Sequence, residues 1–95
     1  MAGYIIAQVE VTDAERFKTY VDKVLPTIEA FGGEYLVRSG EMAVLEGDWP
    51  MPFFAVLKFP SLEKAKAWYD SDAYKPLLEL RKSASNSNLI VTEDM

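Results

Sequence analysis

An alternation of apolar and polar positions opens the chain and predicts a β-strand over Gly3–Val11. Successive side chains of a strand point to opposite faces, so this segment divides into two rows. The rows are Ile5, Ala7, Val9, Val11 and Tyr4, Ile6, Gln8, Glu10. The first row is wholly apolar and is expected to face helices, whereas the second is apolar only at one end.

A stripe of apolar residues at three- and four-residue steps follows and predicts an amphipathic helix. Its members are Phe17, Tyr20, Val21, Val24, Leu25, Ile28 and Phe31. Thr12 and Glu15 have the spacing of a capping box, so Thr12 is expected to cap this helix. Gly32-Gly33 supplies its C-terminal stop. Pro26 removes one backbone donor and is expected to kink the helix near Asp22–Lys23.

The middle of the chain contains two further extended segments. Glu34–Arg38 is predicted to be a strand, and Ser39–Glu41 marks a turn or bulge. Met42–Glu46 is extended again, so residues 34–46 form either one bent strand or a hairpin. Two prolines and a glycine predict a loop over Gly47–Pro52.

The second half begins with a strand that is apolar on both faces. This strand is Phe53–Phe59, interrupted only by Lys58, and the pattern is typical of a central strand covered on both sides. Ser61 is expected to cap the helix that follows. The apolar side of that helix is Leu62, Ala65, Trp68 and Tyr69.

A further helical stretch is predicted to start at Ser71 or Asp72. One of its sides carries Tyr74, Leu77, Leu78 and Arg81. Ser83–Asn88 is polar and is predicted to connect this helix to the last strand, Leu89–Thr92.

The predicted order, β-α-β-(β)-β-α-β, is typical of the ferredoxin-like α+β fold. Right-handed crossovers place both helices on one face of an antiparallel sheet. The helix-free face then carries Tyr4, Ile6, Phe54 and Val56. Four large apolar side chains in one patch are unusual on a soluble monomer, so a homodimer through this face is expected.

The composition limits the chemistry that the chain supports. Its 95 residues suffice for a single domain, 1–95. The absence of cysteine and histidine excludes disulfides, thiolate nucleophiles, a histidine base and metal or haem sites built on those residues. A net charge of −5 disfavours nucleic acid as a partner. Neither a membrane span nor a basic leader is found, so a cytoplasmic protein without metal or cofactor is expected.

Several motifs resemble those of a known family. They are Gly32–Gly40, Val44–Trp49, Phe59–Ser61 and Ala67–Ser71, in this order. The chain is similar over nearly its whole length to domain-of-unknown-function family 1330, uncharacterised bacterial proteins of the dimeric α/β-barrel superfamily. Ser39 departs from the family pattern, which usually has the first glycine of a pair there. The resemblance implies a ferredoxin-like protomer whose sheet closes a barrel with that of a second copy. It implies no established activity, and the reactions of related superfamilies are an analogy of fold alone.

Glu46, Asp48 and Trp49 form the first candidate site. Two neighbouring carboxylates can divide the roles of acid and base, and Glu46 is the best candidate for a base. The alternative is an acidic turn with Trp49 folded onto the protein.

Three further side chains are candidates for binding. Arg38 either binds a carboxylate or enolate oxygen, or pairs with an acidic residue such as Glu10 or Glu46. Tyr69 either lines a pocket as a phenolic donor or belongs to the core. Lys58 is expected to pair with Glu10 across the sheet, or else to be a buried amine.

Two classes of function remain. The first is a homodimeric protein that binds an organic anion or aromatic molecule, with a cofactor-independent enzyme that transfers protons or adds oxygen as its catalytic variant. Its predicted pocket, between sheet and helices, is lined by Arg38, Glu46, Trp49 and Tyr69. The second is a non-enzymatic module that binds or regulates another protein. The lack of histidine and cysteine favours binding over catalysis.

Overall fold

Four strands pair into one antiparallel sheet in the computed structural model, which describes residues 1–95. The strands are β1 (Gly3–Val11), β2 (Glu34–Arg38), β3 (Phe53–Phe59) and β4 (Ser85–Glu93). The helices are α1 (Ala14–Ala30), α2 (Leu62–Tyr69) and α3 (Lys75–Ala84). The spatial order β2-β3-β1-β4 puts β1 and β3 at the centre, so the predicted ferredoxin-like α+β fold and the central position of β3 are confirmed.

The hydrophobic core lies between the three helices and one face of the sheet. That face contributes Ile5 from β1, and Leu57 and Phe59 from β3. The helices contribute Tyr20, Val24, Ile28, Ala65, Trp68 and Leu77, and Tyr74 contributes from the position just before α3. Because strand side chains alternate, the other row of the central strands points to the opposite face, which no helix covers and which we call the open face. That row is Tyr4, Ile6 and Gln8 of β1 and Phe54, Val56 and Lys58 of β3. No helix is both long and apolar enough to cross a membrane.

Helix α1 begins one residue later than the capping box predicts. Asp13 is the N-cap, and its carboxylate accepts a hydrogen bond of 3.2 Å from the amide of Arg16. The amides of Thr12 and Asp13 donate instead to the carbonyl oxygen of Ala84, at 2.8 and 3.0 Å. The predicted cap at Thr12 is wrong because this bond holds Thr12 in the junction between β1 and α3.

The C-terminal end of α1 agrees with the sequence pattern. The helix continues through the exposed Pro26 and ends at Ala30. Gly32 follows with a φ of 78°, a left-handed conformation that glycine adopts without strain. The Gly33 amide donates to the carbonyl of Ile28 at 3.0 Å, which closes the helix end.

The segment after β2 forms neither a bent strand nor a hairpin, so that prediction is wrong. Ser39 still pairs with β3, since its amide donates to Phe54 and its hydroxyl accepts from the Phe54 amide, both at 2.9 Å. Phe53, the residue before Phe54, is the first residue of β3. Beyond this point Met42–Glu46 has no strand opposite it, and residues 40–52 have no regular structure.

Strand β4 is longer than predicted and replaces the polar connector. It starts at Ser85, directly after α3, and pairs with the whole of β1 from Gly3 to Val11. Pairing along a full central strand outweighs the low strand propensity of the Ser/Asn segment.

The predicted pair of Lys58 with Glu10 is wrong. In register, Lys58 lies opposite Tyr4 at one end of β1, whereas Glu10 lies opposite Asn86 at the other end. Glu10 accepts a hydrogen bond of 3.1 Å from the Asn86 amide group.

Candidate functional site

A register shift in β2 determines where Arg38 points. The shift lies between Tyr35 and Val37, and it places Tyr35 opposite Leu57 and Arg38 opposite Ala55. Leu57 and Ala55 are buried residues of the helix-facing row. Side chains three apart in a regular strand face opposite ways, so the bulge brings Arg38 and Tyr35 to the same side. The guanidinium carbon of Arg38 lies 5.0 Å from the centroid of the Tyr35 ring, a cation–π distance.

Arg38 lies at a small inner cavity between sheet and helices. The cavity measures about 50 Å³, and most of its lining is apolar. Its only charged lining residues are Arg38 and Arg81. The alternative in which Arg38 pairs with Glu10 or Glu46 is wrong. The chain has two salt bridges, Arg16–Asp13 and Lys75–Asp72, and neither includes Arg38.

Arg81 is a buried cation without an acidic partner. It is 5% exposed, and neither salt bridge of the chain includes it. Its Nε donates a hydrogen bond of 3.2 Å to the hydroxyl of Tyr74. Burial lowers the pKa of Arg81, but the phenol groups of Tyr74 and Tyr20 more than offset this and hold the pKa above its usual value. The other guanidinium nitrogens of Arg81 make no hydrogen bond and are not fully buried, since no fully buried side-chain nitrogen of the chain lacks a partner. Partly removing a guanidinium from water without an acidic partner is costly, so the position needs an explanation.

The phenols beside Arg81 form a buried chain. The hydroxyls of Tyr20 and Tyr74 are 2.8 Å apart, and the Tyr74 ring lies 4.1 Å from that of Trp68. Burial, reinforced by Tyr74, raises the pKa of Tyr20 far above its usual range. Burial also raises the pKa of Tyr35, against the opposing charge of Arg38. The phenols of Tyr20 and Tyr35 therefore stay protonated at neutral pH.

Arg81 also lies on a larger outer cavity. This polar cavity of about 400 Å³ is lined by Tyr69, by Lys82 and by the Ser85–Asn88 segment, among others. An apolar cavity of about 330 Å³ adjoins it, and both include Tyr69 and Leu89. Leu89 also lines the inner cavity, so one side chain is a wall common to all three.

Glu46 and Trp49 lie on the opposite side of the sheet. They line an open groove of about 410 Å³ formed by the 42–49 segment against Phe54, a residue of the open face. The Trp49 ring lies 6.2 Å from that of Phe54, edge to face. The sheet therefore separates these two residues from Arg38 and Tyr69 within one protomer.

The structure brings together only some of the predicted site residues. Glu46 shares a groove with Trp49, whereas Arg38 and Tyr69 line different cavities that both include Arg81. The ligand-binding role of the four residues stays a prediction. Sequence reasoning missed Arg81 and Tyr20, although an arginine within the apolar stripe of a predicted helix was a usable indication. No three carboxylates lie close enough together to hold a metal ion.

The open face is apolar at its centre. It carries Tyr4 and Ile6 of β1, Phe54 and Val56 of β3, and Ile90 of β4, which is 60% exposed. Trp49 extends this apolar surface through its contact with Phe54.

Comparisons with known proteins agree on the fold and assign no function to this chain. The model of DUF1330, a domain of unknown function, matches residues 2–95. No curated protein matches the chain.

Solved structures similar to this chain are distant in sequence. A protein of unknown function from Rhodopseudomonas palustris is 18% identical, with a TM-score of 0.82, 99% of this chain covered and 82% of that chain. A dimeric ferredoxin-like protein of unknown function from Jannaschia sp. CCS1 is 9% identical, with a TM-score of 0.80 and coverage of 99% and 100%. SnoaB, a cofactor-independent oxygenase from Streptomyces nogalater, is 8% identical, with a TM-score of 0.71 and coverage of 99% and 93%.

Proposed function

Since the chain belongs to the DUF1330 family, which has no known function, we propose from its own site that it is a homodimeric protein binding a small organic anion with an aromatic body. The ligand occupies the outer polar cavity, and its carboxylate or equivalent group pairs with Arg81. Tyr69 contributes an aromatic wall of that cavity, and Arg38 adds a second positive charge at the adjacent inner cavity.

The single observation that supports this proposal is the burial of Arg81 without a carboxylate. A charged side chain is retained at such a position at the expense of stability, and an anionic ligand would supply the missing partner. The guanidinium carries five N–H donors, and Tyr74 accepts from only one of them. The outer cavity of about 400 Å³ falls within the range of small-molecule sites.

The homodimer is proposed to form through the open face. Its apolar residues Tyr4, Ile6, Phe54 and Val56 are what a second copy would cover, and stacking of two such sheets closes an α/β barrel. The structural neighbour from Jannaschia is described as dimeric. Glu46 and Trp49 border this face, so we assign them to the dimer contact and not to the ligand.

A cofactor-independent enzyme is the second candidate. The chain of phenols on Arg81 could stabilise an enolate oxygen, which is the electrostatic part of such catalysis. We favour ligand binding over catalysis because the predicted base, Glu46, lies on the opposite side of the sheet from these hydrogen-bonded phenols.

Calorimetric titration with phenylacetate tests the proposed function, with neutral phenylacetamide as the matched ligand. Wild-type protein is expected to bind phenylacetate and to bind the amide much more weakly. Arg81→Gln is expected to lower the affinity for phenylacetate at least about tenfold, the effect of losing a charged hydrogen bond. Arg16→Gln is the control, because Arg16 is exposed and already paired with Asp13.

Equal affinity of the wild-type protein for phenylacetate and phenylacetamide would refute the assignment of Arg81. An equal loss of phenylacetate affinity in Arg81→Gln and Arg16→Gln would refute it too. Sedimentation of the wild-type chain tests the dimer separately, and a monomer at micromolar concentration would refute it.

A further inference from the structure

We infer that the Tyr20 hydroxyl is a dedicated hydrogen-bond donor in the inner cavity, and that the ligand is a 2-oxo acid whose keto oxygen accepts from it. This inference rests on the proposed function, since it uses Arg81 for the carboxylate. The inference adds Tyr20 to Arg81 as a second group that holds the ligand, and it specifies the ligand as a 2-oxo acid.

The direction of the hydrogen bonds follows from counting protons at Tyr74. The Nε of Arg81 can only donate, so the Tyr74 oxygen accepts from it at 3.2 Å. The other partner of that oxygen is the Tyr20 hydroxyl, at 2.8 Å. Tyr74 is 0% exposed, so its own hydrogen is satisfied only if Tyr74 donates to Tyr20.

The opposite direction is unfavourable. If Tyr20 donated to Tyr74, the Tyr74 hydrogen would be buried without an acceptor, at a cost of about 1–3 kcal/mol. The order Arg81→Tyr74→Tyr20 instead leaves the free hydrogen on Tyr20. Of the two phenols only Tyr20 lines the inner cavity, so that hydrogen can point into open space.

The guanidinium at the start of this series of hydrogen bonds makes the last donor, the Tyr20 hydroxyl, stronger. Each hydrogen bond polarises the next one in a low-dielectric interior. The pKa of Tyr20 is raised by burial far above its usual range, so Tyr20 keeps the proton that it donates.

The size and position of the inner cavity limit what it accepts. About 50 Å³ holds a single oxygen-sized group but not an aromatic ring. Arg81 lines both this cavity and the outer one, so the carboxylate and the inserted oxygen must be close neighbours in the ligand. A 2-oxo acid carries its keto oxygen on the carbon next to the carboxylate and satisfies both conditions.

The test compares benzoylformate with phenylacetate, which differ by a carbonyl in place of a methylene. Wild-type protein is expected to bind benzoylformate about fivefold more tightly than phenylacetate, the effect of one hydrogen bond. Tyr20→Phe is expected to abolish this preference while still binding phenylacetate. Arg16→Gln is the control, because Arg16 is exposed, is paired with Asp13 and lines none of the three cavities.

A second measurement needs no variant. The keto carbon of ¹³C-labelled benzoylformate is expected to shift downfield on binding to the wild-type protein, as a carbonyl does when it accepts a hydrogen bond.

The outcomes separate the two proposals. Equal affinity for the two acids in the wild-type protein, with binding still dependent on Arg81, would overturn the role of Tyr20 alone. A preference for benzoylformate that survives Tyr20→Phe, or an unshifted keto carbon, would do the same. Failure of both acids to bind the wild-type protein would overturn the proposed function and this inference with it.

Discussion

Replacing Arg81 with methionine is expected to stabilise the fold while abolishing anion binding. Arg81 is 5% exposed and has no acidic partner, so the folded state carries the cost of burying its charge. Methionine fills a similar volume with a flexible apolar chain, so no large cavity results. The prediction tests directly whether the arginine is kept for a ligand or for the fold.

The magnitude follows from two opposing effects. Removing the charge relieves a desolvation penalty of several kcal/mol in a buried site. Losing the Nε hydrogen bond to Tyr74 costs about 1.5–3 kcal/mol, the range for bonds that involve a charged group. The net expectation is a gain of about 1–2 kcal/mol in the free energy of unfolding. For a chain of 95 residues, each kcal/mol raises the melting temperature by about 4–8 °C.

Urea denaturation at a fixed protein concentration, monitored by tryptophan fluorescence, measures the change. Arg16→Met is the control and is expected to alter stability by less than ~0.5 kcal/mol, because Arg16 is exposed. Saturating phenylacetate should stabilise the wild-type protein by mass action and leave Arg81→Met unchanged. A loss of more than ~1 kcal/mol in Arg81→Met would refute the reasoning, because it would show that the phenols compensate the charge fully.

Three other substitutions test separate parts of the structure. Val56→Asp places an unpaired charge in the proposed dimer contact at a cost of several kcal/mol, so sedimentation should show monomer or unfolded chain; an unchanged dimer would contradict that arrangement. Pro26→Ala should change the urea stability by less than ~1 kcal/mol, because Pro26 is exposed in a continuous helix; a large loss would mean that packing needs the proline. Above pH ~10 unfolded Tyr20 loses a proton that the folded state retains, so stability falls as the pH rises. In Tyr20→Phe, the fall of the unfolding free energy with pH should be less steep by up to ~1.4 kcal/mol per pH unit. Parallel plots of unfolding free energy against pH for the wild-type protein and the variant would show that Tyr20 does not cause the fall.

The sequence by itself determined the elements whose pattern is local. The alternation in Gly3–Val11 and the doubly apolar run Phe53–Phe59 predicted the two central strands, and the order of elements predicted the ferredoxin-like sheet. The glycine pair after α1 marked the helix end, because a left-handed residue there is a requirement of the backbone alone.

Tertiary structure alone decided where those elements stop. Thr12 fits a capping box, but a bond to Ala84, distant in sequence, moves the cap to Asp13. Met42–Glu46 has strand-like residues and forms no strand, because β3 begins too late to pair with it. The Ser/Asn segment looks like a connector but pairs with β1, because a central strand offers it a full row of backbone partners.

The candidate site depended even more on the tertiary structure. The bulge that turns Arg38 to the helix-facing side and the sheet that separates it from Trp49 both arise from pairing between different segments of the chain. Tyr20 and Tyr74 share a hydrogen bond across 54 positions, and Arg81 joins them from the second turn of α3. Local periodicity reports which face of an element is apolar. It does not report which polar group lies opposite, and that long-range pairing decides whether a buried charge or phenol is satisfied or left free for a ligand.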